Sequence, residues 1–418
     1  MEVRPGYKQT EVGVIPKDWM LTSIGESCRI FGRIGFRGYT VNDIVKDGNG
    51  AIALSPSNIQ DGKLDCSERT YISWFKYEES PEIQIADGDI LLVKTGSTFG
   101  KTAIVAHLDE KATVNPQIVV LKKIKIHNHF LGYVMSFRVI QKQISASIVG
   151  GAIPTLSQEL VSKFIYPLPP TRTEQEAIAE ALSDADALVE SLEQLVAKKH
   201  QIKQGAMQEL LTGKKRLSGF SGEWVEKRLD NIADIVSGGT PSTNKPEYWN
   251  GDVMWCTPTD ITGLRGAKYL SQTERSITKL GLTVSAAELV PAGSIVMTSR
   301  ATIGECAINT VPVATNQGFK SFIPFEEIDG EFLYYLLQTK KQEFISLCGG
   351  STFLEISKAQ VSAFAITLPR QKNEQSAIAY ILSDMDSEIA ALEKKLVKAR
   401  QVKLGMMQEL LTGRIRLV

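Results

Sequence analysis

Apolar residues recur along two stretches of the chain at alternating steps of three and four. In the later stretch they are Ile378, Leu382, Met385, Ile389, Leu392, Leu396 and Ala399; in the earlier one, Ile178, Leu182, Ala185, Val189, Leu192 and Val196. This spacing keeps one stripe on one helix face and predicts two long helices, each with a coiled-coil seam. Start and stop signals agree. Thr173-Glu-Gln-Glu176 fits a capping box, Asn373 can cap the second helix, and Gly213 and Gly413 stand where the helices should stop. A helix from 173 to 212 would be about 60 Å long at ~1.5 Å per residue. One stripe cannot bury itself, so pairing of the two helices within the chain is expected. Two independent core helices, or pairing between chains, are the alternatives.

The regions ahead of each helix follow a different pattern. DILLVKTG (89–96), PQIVVLKKI (116–124) and SIVMTSR (294–300) are short, branched and apolar, and predict buried strands. Residues 130–148 and 331–347 predict helices that end at Gly-Gly pairs (150–151, 349–350). A short helix or turn follows, then the strands FIYPL and FAITL lead into the long helices. Segments rich in Gly, Ser, Thr, Asn and Pro link these elements, and such loops carry function on rigid scaffolds. The expected class is α+β, with two mixed α/β globules joined by two long antiparallel helices.

The chain repeats itself. Residues 168–213 and 368–413 share Leu-Pro, Glu-Gln, Ala-Ile-Ala, Leu-Ser-Asp and Met-Gln-Glu-Leu-Leu-Thr-Gly, every match 200 positions apart. Val161, Ser162 and Phe164 face Val361, Ser362 and Phe364 in the same register. Further upstream the offset drifts, with Trp19 against Trp224 and Gly100 against Gly304. Two copies of one unit, each a variable front and a nearly constant tail, imply a tandem repeat with pseudo-twofold symmetry. The expected boundaries are 1–170, 171–217, 218–370 and 371–418.

Composition narrows the class. Of 418 residues, 43% are hydrophobic, too many for a disordered chain. No run of 18 apolar residues occurs and MEVRPGYKQTEVG lacks a signal-peptide core, so no membrane association and a cytoplasmic location are expected. Five scattered cysteines argue against a disulfide framework or a zinc ribbon. Basic and acidic residues are balanced: 19 against 17 over 1–170, 7 against 8 over 171–218, 13 against 16 over 219–370, and 8 against 6 over 371–418. No segment is strongly basic, so any nucleic-acid role must come from local groups, and the chain alone should bind DNA weakly.

Enzyme chemistry is hard to find. Gly96-Ser-Thr-Phe-Gly100-Lys101-Thr102 has three residues between its glycines where a phosphate loop needs four, and its counterpart around Ser299–Glu305 lacks the lysine. Gly32, Gly35 and Gly38 are spaced GxxGxxG, which does not support a dinucleotide site. His127-Asn-His129 has no further ligand at a suitable spacing, so a surface turn is favoured over a metal site. Glu393-Lys394-Lys395 lies on a charged helix face. No nucleophile–base pair emerges, and no catalytic or metal site is expected.

Ser237-Gly-Gly-Thr-Pro-Ser-Thr-Asn-Lys-Pro-Glu-Tyr-Trp-Asn-Gly-Asp, Trp255-Cys-Thr-Pro-Thr-Asp-Ile261 and the two Glu-Gln…Met-Gln-Glu-Leu-Leu-Thr-Gly tails resemble the specificity subunit of type I restriction–modification enzymes. The first domain departs from the Gly-Gly-Thr-Pro-Ser opening, with Phe31-Gly-Arg-Ile-Gly-Phe-Arg-Gly-Tyr in its place. The resemblance implies a non-catalytic chain with two target-recognition domains reading two halves of a bipartite, asymmetric double-stranded DNA site. The helices would act as a spacer. Partners would be two methyltransferase (modification) subunits and restriction/translocase subunits, which would hold S-adenosylmethionine, ATP and magnesium. A tandem scaffold that binds no DNA, and a nucleotide hydrolase using Gly96–Thr102, are the competing classes.

On this reading, base contacts fall to short polar and guanidinium groups on loops. In the first domain these are Arg33, Arg37, Ser57, Asn58, Lys94, Ser97, Thr98 and Lys101. In the second they are Thr240, Ser242, Lys245, Tyr248, Thr259, Asp260, Ser299, Arg300 and Thr302, with Lys94 and Arg300 near repeat-equivalent positions. Trp249 and Trp255 are expected in the core. Glu174, Gln175, Gln208 and Glu209, with Glu374, Gln375, Gln408 and Glu409, are expected on outer helix faces that dock the partners. The competing explanation for the matching tails is that each packs against the other.

Overall fold

The computed structural model describes residues 4–33, 35–60, 62–147, 155–348 and 354–417. The Gly-Gly pairs at 150–151 and 349–350 lie outside them. Two compact units divide the chain: Met1–Leu192 with Lys395–Val418, and Glu193–Lys394.

Each unit is built on two larger sheets, with short two-stranded pairs beside them. In the first, a six-stranded sheet runs in the order Arg29–Gly32, Ile118–Lys122, Ile90–Val93, Thr102–Ile104, Lys63–Leu64, Ile59–Gln60. Its four-stranded sheet runs Ala112–Val114, Gly50–Leu54, Tyr71–Ser73, Ile44–Val45. In the second unit a five-stranded sheet runs Ala233–Ser237, Phe319–Pro324, Ile295–Thr298, Cys306–Asn309, Tyr269–Leu270. The companion sheet runs Arg275–Ile277, Trp249–Cys256, Val313–Thr315, Leu289–Val290.

The unbroken apolar runs have a clear cause. Ile90 and Leu92 face a core containing Phe130 and Ile178, while Leu91 and Val93 face a second core containing Ile52 and Val114. In the other unit Ile295 and Met297 point into one core and Val296 into another. A strand covered on both faces does not alternate polar with apolar positions.

The expected helices 130–148 and 331–347 are each broken once. Phe137, extended at φ −81° and ψ 152°, ends Asn128–Ser136 and starts Arg138–Ala146. Lys340, at φ −93° and ψ 3°, divides Gly330–Thr339 from Lys341–Leu347.

The long helices α1 (Arg172–Leu210) and α2 (Lys372–Leu410) each span 39 residues. Both start earlier than the sequence suggests. The Glu174 amide donates to Thr171 Oγ1 at 3.2 Å, so Thr171 caps α1 and Thr173 lies inside it. Asn373 likewise falls within α2. Gly213 and Gly413 follow the last turns at φ +70° and +68°. That left-handed conformation is one a side chain would strain.

Within each unit the start of one long helix packs against the end of the other, so the segments are antiparallel. Ile178, Ala179 and Leu182 share a core with Met407, Leu410 and Leu411. Ile378, Ala379 and Leu382 share the other with Leu210 and Leu211. These seam positions therefore belong to globular cores as well as to a helix pair. Val189, Leu192, Val196, Met385, Leu392 and Leu396 are half-buried, and Ile389 is buried. Matching polar clasps lie alongside. In the first unit Asp186 pairs with Lys403 at 2.5 Å and accepts the Tyr133 hydroxyl at 2.8 Å. In the second, Asp386 pairs with Lys203 at 2.5 Å and accepts from Tyr335.

The helix starts that recur in the two halves correct an expectation. Glu174, Gln175, Glu374 and Gln375 are buried and offer no docking surface. Arg416 forks onto Glu174, with Nη2 at 2.8 Å from Oε2, and reaches Asp18 at 3.1 Å while lying over the Trp19 ring. Arg216 forks onto Glu374 at 2.7 and 2.8 Å and lies over Trp224. Gln175 accepts the His127 amide at 3.0 Å and donates to the Pro169 carbonyl at 3.2 Å. Gln375 does the same with Asp329 and Pro369. The Glu-Gln pair recurs because it locks each long helix to its own globular unit. Gln208 and Glu209 are exposed, and Gln408 and Glu409 half-buried.

Candidate nucleic-acid interface

In the second unit four strands end at one cluster of loops. Ile295–Thr298 runs into Ser299–Glu305, Val313–Thr315 into Asn316-Gln317-Gly318, Ala233–Ser237 into the Gly238–Lys245 loop, and Trp249–Cys256 into a helix capped by Thr257. Backbone bonds tie these loops together. The Gly239 amide donates to the Thr315 carbonyl at 2.9 Å, Ser299 to Gly318 at 2.7 Å, Asn316 to Cys256 at 3.0 Å and Ile356 to Ser299 at 3.1 Å. The Thr240 hydroxyl adds a bond to Gln317.

The Gly-Gly pair of the opening motif is needed for this junction. A Cβ on Gly238 would lie 1.9 Å from the Asn316 carbonyl oxygen, and one on Gly239 would lie 2.3 Å from the Ala286 backbone. Gly238→Ala must push two loops apart and is expected to cost about 1–3 kcal/mol. A denaturation midpoint equal to that of the parent protein would refute this.

The first unit repeats the junction with other residues. Lys94 donates to the Gln117 carbonyl at 2.8 Å, Asn115 to Leu54 at 2.8 Å and Leu156 to Lys94 at 2.9 Å. Bridges join Thr95 to Thr155 here and Arg300 to Glu355 in the second unit. The true equivalents are therefore Lys94 with Ser299 and Thr95 with Arg300. The cations the sequence pairs across the repeat are one residue out of register.

The candidate residues divide by burial. Exposed or half-exposed on the loops are Arg37, Ser57, Lys94, Ser97, Thr98, Lys101, Thr240, Ser242, Lys245, Tyr248, Thr259, Arg300 and Thr302. Arg37 is 3.6 Å from Glu82, and Arg300 is 2.9 Å from Glu355. Four others are committed inward, contrary to expectation. Arg33 donates to the Val114 carbonyl and to Thr113, each at 3.1 Å, with Tyr39 against its guanidinium. Asn58 bonds the carbonyls of Asp65 and Glu68 at 2.9 Å each. Asp260 closes a capping box with Thr257 at 2.7 Å. Ser299 is fully buried. Polar residues in Gly-rich segments commonly satisfy the loop's own backbone, and no feature of the sequence separates them from exposed ones.

Other motifs resolve into structure. Gly96–Thr102 is a hairpin turn in which Gly100 donates to the Val93 carbonyl at 2.9 Å. Strand Thr102–Ile104 follows it, so the helix N-terminus that cradles phosphate in a phosphate loop is missing here. His127 caps Asn128–Ser136 through its ring. Glu393 lies 3.4 Å from His200 on the helix surface. Among the described residues no cluster of three His, Cys, Asp or Glu groups is placed to hold a metal, and no helix is long and apolar enough to cross a membrane.

Two residues at the junction escape sequence reading. Lys320 is buried beneath the Ser299 turn, and among the described residues its hydrogen-bond partners are Ser299 Oγ at 3.5 Å and the Phe319 carbonyl at 3.2 Å. Burial pushes its ammonium below the usual lysine range. Above it, Ala301 has φ +57° and the Thr302 amide closes onto the Arg300 carbonyl at 2.6 Å, a strained three-residue turn. The second is Arg275, whose guanidinium lies over Trp249 and, further off, Trp255.

Comparison with known proteins matches residues 16–204 and 221–399 to the type I restriction modification DNA specificity domain. The MjaIX specificity subunit of Methanocaldococcus jannaschii is 38% identical over 175 residues, which span 41% of this chain and 40% of that one. The putative MjaX specificity subunit of the same organism is 25% identical over 428 aligned positions, spanning 98% of this chain and 96% of the relative. The solved S subunit of a type I restriction–modification system from M. genitalium shares the fold with a TM-score of 0.58, at 16% identity and 98% coverage of both chains. With the specificity domain matched twice and the loop junction built twice, the chain belongs to the family of type I restriction–modification DNA specificity subunits.

Proposed function

We propose that the two loop junctions read the two halves of a bipartite, asymmetric DNA site, the first within residues 1–170 and the second within 218–370. The observation that carries this reading is one backbone arrangement presenting different side chains. Lys94, Thr95 and Gln117 occupy the places of Ser299, Arg300 and Gly318. The same scaffold with different donors and acceptors suits two different base sequences. Residues 171–217 and 371–418 form the framework, and their long helices set the separation of the half-sites.

The specificity subunit of this family is non-catalytic and carries no cofactor, and partner subunits use S-adenosylmethionine and ATP. The chain assembles, on this reading, with two methyltransferase subunits and with restriction/translocase subunits that require magnesium. Gln208, Glu209, Gln408 and Glu409 lie at the accessible ends of the two helices, where such partners could dock.

Balanced charge assigns much of the phosphate clamp to those partners. Mapping methylated bases with the assembled complex tests the reading. Arg300→Ala is expected to relax or weaken one half-site about tenfold and leave the other intact. Equal loss at both half-sites, with a lowered melting temperature, would overturn the assignment. Tight sequence-specific binding by the isolated chain would overturn the shared clamp.

A further inference from the structure

Arg275 opens the edge strand Arg275–Ile277 and pairs across to Trp255. Its guanidinium carbon lies 4.0 Å from the centre of the Trp249 ring and 5.2 Å from that of Trp255. The two indoles meet edge to face, 5.0 Å apart at 86°. Both are buried, and both N–H groups are anchored on the Gly238–Lys245 loop. Trp249 donates to the Ser242 carbonyl at 3.1 Å and Trp255 to the Gly239 carbonyl at 3.0 Å. Arg275 itself is exposed. Among the described residues no carboxylate lies within ion-pair distance of it.

These facts set it apart from the other arginines near the loops. Arg300 is held by Glu355, and Arg33 is spent on backbone carbonyls. A guanidinium held over an indole face is attracted by the ring while its N–H groups remain open to a further partner. The contacts with the indoles favour one placement of the side chain, so less rotamer freedom is given up on binding. The indoles that fix it also carry the Gly238–Lys245 loop, so its position is coupled to the junction.

Among the described residues the first unit has no such platform. The Leu54 and Cys256 carbonyls each accept the asparagine amide of their junction, which makes Ala53 the equivalent of Trp255. The residue paired with Ala53 is Thr70, whose carbonyl accepts the Ala53 amide at 2.8 Å. Thr70 therefore stands where the second unit has Arg275, without indoles beneath it.

We propose that Arg275 is a preorganised DNA contact of the second half-site, presenting two parallel N–H donors to a paired-acceptor group. This rests on the reading that the loop junction faces DNA. Two groups on DNA offer that chemistry, the O6/N7 edge of guanine and a phosphate.

The test uses the complex assembled with its methyltransferase partners, carrying Arg275→Ala, Arg275→Lys or, as a separate control, Arg300→Ala. Arg275→Ala is expected to weaken site binding about 10- to 100-fold, with methylation at the first half-site sequence unchanged. Arg275→Lys is expected to restore little, because an ammonium lacks the planar fork. Relaxed preference at one base pair of the second half-site identifies a guanine edge. Uniform loss across sequences, with the slope of affinity against salt shallower by about 1, identifies a phosphate. Unchanged affinity with Arg275→Ala while Arg300→Ala still affects one half-site would overturn the inference and spare the junction reading. Indifference to both variants would overturn both. Full recovery with Arg275→Lys, alongside a lowered melting temperature for Arg275→Ala, would make Arg275 a structural cation and overturn the inference.

Discussion

Arg216→Ala is expected to destabilise the second unit strongly. Glu374 is 4% exposed, and its carboxylate takes both N–H groups of the Arg216 fork and the Trp224 indole N–H at 3.3 Å. Removing the guanidinium leaves a buried charge with one weak donor, which costs about 3–5 kcal/mol. For a unit of this size that corresponds to a fall of roughly 6–20 °C in melting temperature. The double change Arg216→Met with Glu374→Leu should recover much of the loss, since no charge is left without a partner. Arg416→Ala should act likewise on the first unit, where Arg416 joins Glu174 and Asp18. A melting temperature within 2–3 °C of the parent for either arginine variant would show that the pair contributes little.

Lengthening both long helices by one heptad is expected to lengthen the unspecified gap of the methylated site by about three base pairs. Seven residues add about 10 Å of helix at ~1.5 Å each, and one base pair occupies ~3.4 Å. The insertions belong after Leu192 and after Lys394, where the helices pass from one compact unit to the other. Both heptads should continue the three-four apolar spacing so that the seam survives. The two half-site sequences should stay the same, because no loop residue is altered. An unchanged gap in the mapped methylation pattern would rule out the spacer role of the helices.

The long helices were legible in the sequence because periodicity is a local property. Steps of three and four from Ile378 to Leu396 announce a helix whatever surrounds it. The same holds for Ile90–Val93 and Ile295–Thr298, whose unbroken apolar runs mark strands covered on both faces. Duplication at an offset of 200 was visible for the same reason.

The helix starts were read less well. Glu174 and Gln175 look like surface residues, since charged and amide side chains are seldom buried without partners. Their partners are Arg416, His127 and Pro169, and the first is 242 positions away. Only the folded chain brings Arg416 to Glu174. The loops failed in a similar manner. Arg33 and Lys94 are both cations beside glycines, yet Arg33 turns inward to the Val114 carbonyl while Lys94 remains half-exposed. Arg275 sits in an unremarkable stretch, SQTERSITK, and acquires its place from indoles 20 and 26 residues upstream.

The sequence by itself determined two copies of one unit, two long amphipathic helices, the principal buried strands and membership of a family, because these depend on local spacing and on repetition. The tertiary structure alone decided which polar side chains are consumed holding loops and helix ends in place and which remain free to meet a ligand. That division depends on contacts between distant positions, where a buried carboxylate or carbonyl claims a cation that spacing along the chain would leave exposed.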